Sequence, residues 1–175
     1  MAKLPIIWAP DPILKAKCCR VETIDDEVRR LMDSMLETMY AAPGVGLAAP
    51  QVGVTRRVIV VDCARSDESP NPLRMANPEI VATSKDEVTN EEGCLSLPGH
   101  YADVTRPAEA RVRYVDENSE QRQIDIDGLL ATCVQHEIDH LDGILFVDHL
   151  SALKRNMILR KMVKAKREQL REDAG

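Results

Sequence analysis

Six apolar side chains, Val28, Leu31, Met32, Met35, Leu36 and Met39, recur at steps of three and four residues. That spacing lines one face of a helix and predicts one from about Ile24 to Tyr40. Thr23 is the expected N-cap, Asp25 and Asp26 suit the positive end of the helix dipole, and Ala42-Pro43-Gly44 ends the element. The period then changes. Val58-Ile59-Val60-Val61 is a short unbroken apolar run, expected as a buried strand within Arg56–Asp62. Glu79–Thr83 is expected as a second strand. Arg111–Val115 and Arg122–Ile126 alternate and flank the polar turn Asp116-Glu117-Asn118-Ser119, the pattern of a hairpin. From Gly128 to Leu141 the helical period returns. Leu130, Val134, Ile138 and Leu141 form an apolar stripe, with Cys133, His136, Glu137 and His140 on an adjoining face. A last helix is expected to start after Ser151, a suitable N-cap, and to run to about Leu170. The first twenty residues read as a Pro-punctuated extended arm, Gly44–Gly53 as a small-residue loop and Ser66–Pro72 as a polar one.

Strands that follow one helix and precede two others, without regular alternation, predict an α+β fold. Mainly antiparallel strands are expected around a central helix bearing His136-Glu137-Ile138-Asp139-His140, with an N-terminal and a C-terminal helix. At 175 residues the chain is long enough for one core, and a single domain over 1–175 is expected. With one Trp and one Phe, that core must be built from aliphatic side chains and Met.

The net charge of −6 argues against a nucleic-acid binder overall. From Ser151 onward, however, eight Lys/Arg face three Asp/Glu, so the last helix is basic. The five cysteines show no disulfide spacing. No signal peptide is visible, and no apolar run approaches the roughly 20 residues of a membrane span. A reducing cytoplasm and no membrane are the expected setting.

His136 and His140, four residues apart on a helix, lie one turn from each other on the same face, where both imidazoles can reach one metal ion. Glu137, adjacent to a ligand, can face water instead. Two nitrogen ligands with a carboxylate base suit hydrolysis. A third ligand is required. One downstream pattern would place it at Phe146, which cannot coordinate. Glu168 and Glu172 lie in the charged terminal helix. Upstream, Cys94 stands in Glu91-Glu92-Gly93-Cys94-Leu95-Ser96-Leu97-Pro98-Gly99, and a thiol beside a dication would be a thiolate. Taken alone, Cys94 reads more readily as a buried core thiol; beside an incomplete two-histidine site the reading moves toward a ligand. Cys133, one turn before His136, is an alternative fourth ligand that would close the site as a structural one.

Three segments together resemble the peptide deformylase family: Gly44-Val45-Gly46-Leu47-Ala48-Ala49-Pro50-Gln51, Glu92-Gly93-Cys94-Leu95-Ser96 and His136-Glu137-Ile138-Asp139-His140. Their order and separation match the family, and the resemblance extends over nearly the whole chain. It implies an enzyme that removes the formyl group from the N-terminal methionine of new bacterial polypeptides, leaving formate and a free amine. By this resemblance Cys94, His136 and His140 are the metal ligands and Glu137 the general acid/base. Gln51 and the backbone N–H of Leu95 stabilise the oxyanion, and the main chain of Gly46 approaches the substrate. Val45, Leu129 and Cys133 match lining positions of the methionine pocket, though each also reads as core. The implied cofactor is one divalent ion, Fe2+ in the cell, with Zn2+, Ni2+ or Co2+ also suited to this donor set.

Near Tyr101 many relatives carry an arginine that supports the cysteine segment; here the available cation is Arg106. His100 and His149 read as surface or structural residues. The glycine loop also fits a loose dinucleotide pattern, but a helix precedes it and a strand follows, the reverse of what that pattern needs. Two other readings stay open at this point: a metallopeptidase with a different third ligand, and a non-catalytic zinc-stabilised module. The expected partners are N-formylmethionyl peptides, with a ribosome contact through the basic helix, and a monomer is expected.

Overall fold

The computed structural model describes residues 2–175. Its elements run α1 (Asp26–Ala41), β1 (Gly46–Ala48), β2 (Val58–Val61), β3 (Leu73–Thr83), β4 (Glu87–Gly93), β5 (Tyr101–Pro107), β6 (Ala110–Val115), β7 (Gln121–Ile126), α2 (Gly128–Leu141) and α3 (Ala152–Ala174). All strand pairs are antiparallel. One sheet has the order β1-β2-β3-β6-β7, and β4 and β5 form a separate two-stranded sheet. The expected α+β class and the central placement of the histidine-bearing helix hold.

The unbroken apolar run of β2 has a direct cause, since successive strand residues face opposite sides of a sheet. Val58 and Val60 pack with Val28, Met32, Met35 and Met39 of α1. Ile59 and Val61 pack with Val134, Ile138 and Leu141 of α2. Both faces are covered, so no polar position is tolerated. A third cluster joins Leu97 and Val104 of the β4–β5 region to Phe146 and to Met162 of α3.

Several boundaries differ from expectation. Asp25, not Thr23, caps α1: its carboxylate accepts from the Val28 N–H at 2.9 Å. The chain stays extended through Ile24, which is buried in the α1 cluster. The expected strand Glu79–Thr83 is the second half of the longer β3. Asn77-Pro78 reads as a break in sequence, but β3 carries register shifts there. The Asn77 amide replaces ladder bonds by exchanging two 2.8 Å hydrogen bonds with the backbone of Val21. The β4–β5 hairpin was not expected at all. Half of its strand residues are exposed, and the buried ones include the charged Glu92 and Arg106, so no apolar alternation announces it. The three-residue β1 was expected as loop.

The hairpin β6–β7, the Ser151 cap of α3 and the limits of α2 fall as expected. Gly143 ends α2 with φ +75, and a Cβ there would run into the backbone of Lys15. Its place in the chain is therefore explained by the turn. Strand β1 lies at the sheet edge and, among the described residues, pairs only with β2. No helix among the described residues is long and apolar enough to cross a membrane.

Candidate metal centre

Helix α2 sets the His136 and His140 rings with their centroids 5.0 Å apart. Cys94 follows directly on the last residue of β4 and sits in a turn closed by the Leu97 N–H bonding the Cys94 carbonyl at 2.9 Å. This turn brings the sulfur to the helix. Ligand-type atoms of Cys94, His136 and His140 all lie within 4.8 Å of one another, and Cys94 Sγ is 3.4 Å from His140 Nε2. Cys133 is not in this cluster; the neighbouring Cys63 thiol and burial push its own thiol well above the usual range. The fourth-ligand alternative therefore has no support.

Glu137 is buried beside the cluster, with Oε1 3.9 Å from Nε2 of both histidines. Burial pushes its carboxyl up to about 7, while His136 pulls in the opposite direction. Its Oε2 is buried and has no protein partner. Burial holds His140 well below the usual imidazole range, which leaves a neutral ring able to ligate. For His136, burial disfavours the charged ring, but contacts with Cys94 and Glu92 outweigh it and favour a positive charge. Surroundings that retain a proton so well also suit a metal cation.

One thiol and two imidazoles form a donor set suited to borderline ions such as zinc and ferrous iron. The orphaned Glu137 oxygen supplies an acceptor for a polar group entering the same space. The residues present thus fit a single ion with a carboxyl group beside it.

A supporting network surrounds the ligands. His136 Nδ1 donates to Glu92 Oε1 at 2.9 Å. Arg106 grips the same carboxylate with Nε (2.7 Å) and Nη2 (2.9 Å), and its Nη1 donates to Asp139 Oδ2 at 2.9 Å. Burial works to raise the Glu92 pKa, but His136 and Arg106 overcome it and bring it to about 2. Arg106, the cation expected near Tyr101, thus braces Glu92, two residues before Cys94. Glu92 and Asp139 stand inside the Glu92–Ser96 and His136–His140 motifs, but nothing in the sequence alone assigns either a task.

Gln51 is 1% exposed and held at both ends of its amide. Its Oε1 accepts from the Ala48 N–H at 2.9 Å, which turns Nε2 toward Ser96 Oγ (3.1 Å) and Cys94 Sγ (3.4 Å). Leu95 follows Cys94 directly, so its N–H lies one residue from the sulfur. A cavity of about 420 Å³ opens here, lined by Val45, Gly46, Leu129, Cys133, His136 and Glu137 among others. Val45 is 44% exposed and Leu129 58%, so these two are not core residues; Cys133 is buried at the cavity wall.

Fold and site together define a class: an α+β hydrolase built on an HExxH helix, with a cysteine brought to that helix by a hairpin. Residues 3–156 match the Polypeptide deformylase family. A peptide deformylase of Agrobacterium fabrum is 54% identical over 166 residues, covering 95% of this chain and 98% of the relative. One from Zymomonas mobilis is 48% identical and covers 99% of both. Peptide deformylase from Ehrlichia chaffeensis superimposes with a TM-score of 0.92 at 39% identity, over 97% of this chain and 99% of the other. A second Ehrlichia chaffeensis structure, with actinonin bound, gives 0.91 at 41% identity over 95% of this chain and 99% of the other. The chain belongs to the polypeptide deformylase family, enzymes that remove formyl groups from nascent peptides.

Proposed function

We propose that the chain hydrolyses the N-formyl amide of formylmethionyl peptides, releasing formate, with Cys94, His136 and His140 holding one divalent ion. The observation that carries this reading is the convergence of those three side chains within 4.8 Å, with the Glu137 carboxylate 3.9 Å from both ring nitrogens. Ferrous iron is the proposed ion in the cell, and Zn2+, Ni2+ or Co2+ would suit the same donors. When bound, such an ion supplies Lewis acidity, making water nucleophilic near neutral pH and polarising a carbonyl.

The protein groups supply the rest. Glu137 takes a proton from the attacking water and delivers it to the departing amine, a task suited to a carboxyl raised to about 7. The Gln51 amide, fixed by Ala48, and the Leu95 N–H donate to the developing oxyanion; losing one such donor typically costs about 2.7–4 kcal/mol of barrier. Val45, Leu129 and Cys133 line the space for the methionine side chain, and Gly46 lets the substrate main chain approach. One water adds and the C–N bond breaks, giving formate and a free amino terminus. In this reading the chain works as a monomeric single catalytic domain over 1–175, in the cytoplasm, and α3 contacts the ribosome.

The test is formate release from formyl-Met-Ala by the cobalt-loaded protein. Turnover with no cleavage of unblocked peptides is expected, and Glu137→Ala should remove nearly all of it while the metal stays bound. Turnover undiminished in Glu137→Ala, or cleavage of unblocked peptides, would sink the proposal.

A further inference from the structure

A chain of contacts runs from the protein surface to the ring of His136. His149 Nε2 donates to Asp139 Oδ2 at 2.9 Å, and Arg106 Nη1 donates to that same oxygen at 2.9 Å. The other arms of Arg106 clamp Glu92, whose Oε1 receives the His136 Nδ1–H at 2.9 Å. Arg106 and Glu92 are buried, whereas the His149 side chain is 35% exposed and Asp139 23%. Asp139 is thus the outermost carboxylate of the network and the one with an escape route to water. A second link joins the same region to the ligand. His149 closes the short 3-10 turn Phe146–His149, and the buried Phe146 ring stacks on His136, centroids 6.4 Å apart and 24° from parallel.

We propose that His149 is a positioning residue for the His136 ring, acting through Asp139, Arg106 and Glu92. The proposal rests on the metal reading above. Two donors converging on one carboxylate oxygen fix the orientation of Asp139. That fixes the third anchor of Arg106, and Arg106 in turn sets the plane of Glu92. Glu92 selects the His136 tautomer that carries its proton on Nδ1 and leaves Nε2 free to ligate, the usual task of a carboxylate behind a metal-bound histidine. The donor is what matters, not the charge: a neutral imidazole protonated on Nε2 serves. The competing account is an exposed hydrogen bond that contributes nothing at the site, as many surface pairs do.

The test uses cobalt-loaded wild type, His149→Ala and His149→Gln. Three quantities are followed: the visible d–d spectrum, the rate of cobalt transfer to a chelator, and the melting temperature of the metal-free protein. Removing a direct partner of a ligand typically weakens metal binding 10–100-fold, so a residue three links further out is expected to speed release by about threefold to tenfold. His149→Ala should show that acceleration and an altered d–d band, with an unchanged metal-free melting temperature. His149→Gln, whose amide can donate to Asp139, should return both readouts toward wild type. Identical spectra and release rates in wild type and His149→Ala overturn the inference, as do equal losses in the alanine and glutamine variants. A wild-type chain that takes up no cobalt, or a Cys94→Ala chain that takes it up unchanged, would instead defeat the metal reading.

Discussion

Gly46 stands directly against Glu137: a Cβ at this position would lie 3.0 Å from Glu137 Cγ and 2.9 Å from Cys133 Sγ. Both contacts are with side chains on α2, which is packed against the sheet and cannot withdraw. Gly46→Ala must therefore displace the Glu137 carboxylate or push β1 outward. Misplacing a reacting group by about 1 Å can cost 10²-fold, and kcat/KM for formyl-Met-Ala is expected to fall by roughly tenfold to a hundredfold. The cobalt content should stay at the wild-type level, because the three ligands are untouched. A fully active Gly46→Ala enzyme would show that Glu137 has room the structure does not give it.

Arg106 bridges two carboxylates, those of Glu92 and Asp139, from within the protein. Arg106→Met keeps much of the volume but leaves Glu92 buried without its cation. Breaking a buried pair from one side costs about 3–5 kcal/mol, and a comparable loss is expected in urea unfolding of the metal-free protein. Arg106→Lys should recover only part of it, since an ammonium cannot bond both Glu92 oxygens and Asp139 in a planar fork. Equal stability of Arg106→Met and wild type would mean that the pair contributes nothing net.

Asp62 ties the end of β2 to the wall of the cavity, its N–H bonding the Val45 carbonyl at 2.8 Å. Its carboxylate accepts from Tyr40 Oη at 2.5 Å and from the N–H groups of Ala64 and Asn71. Burial alone would raise the Asp62 pKa, but these bonds outweigh it, the Tyr40 bond foremost, and hold it below its ordinary 3.8. Tyr40 is pushed up to about 12 by burial and by Asp62. The Asp62 contribution to stability is thus present above pH 3.8 and fades as the pH falls through the lower folded value. The Tyr40 contribution is present below pH 10.0 and fades as the pH rises through about 12. Tyr40→Phe should cost about 1 kcal/mol at pH 7, a modest value for a charge-assisted bond on a half-exposed side chain. The difference from wild type should shrink at both extremes of a urea-unfolding pH series. A constant difference across the series would show that the bond is not what separates the two proteins.

Helix α3 buries only Met162 fully, and beyond that residue its side chains are mostly exposed. Removing residues 165–175 should leave turnover and melting temperature close to wild type, losing little more than the 3.5 Å contact of Lys166 with Asp11. Co-sedimentation with ribosomes should weaken, and wild-type binding should fall steeply with added salt if the basic face meets RNA phosphates. Unchanged sedimentation across a salt series would remove the ribosome from the account.

The sequence disclosed most where a residue type admits few uses. Two histidines at helical spacing with a glutamate between them mark α2 as a site. The β2 run and the β6–β7 alternation are readable because burial there is apolar. The β4–β5 hairpin escaped because two of its three buried positions are filled by Glu92 and Arg106, charges that satisfy each other only once folded. For the same reason the route from His149 to His136 is invisible in one dimension: three of its five members, Glu92, Arg106 and Asp139, are ordinary charged residues, and the five are scattered along the chain between Glu92 and His149. Val45 and Leu129 illustrate the opposite ambiguity, since an apolar residue looks the same whether it fills a core or waits for a ligand.

Among the described residues strand β1 pairs with β2 on one side only, and Gly46 at its start lines the rim of the cavity. Any extended polypeptide laid along that rim meets peptide groups first and side chains second. Peptide groups are the one feature that all polypeptides share, so such a rim favours breadth of recognition, with discrimination confined to the terminal residue that reaches the pit.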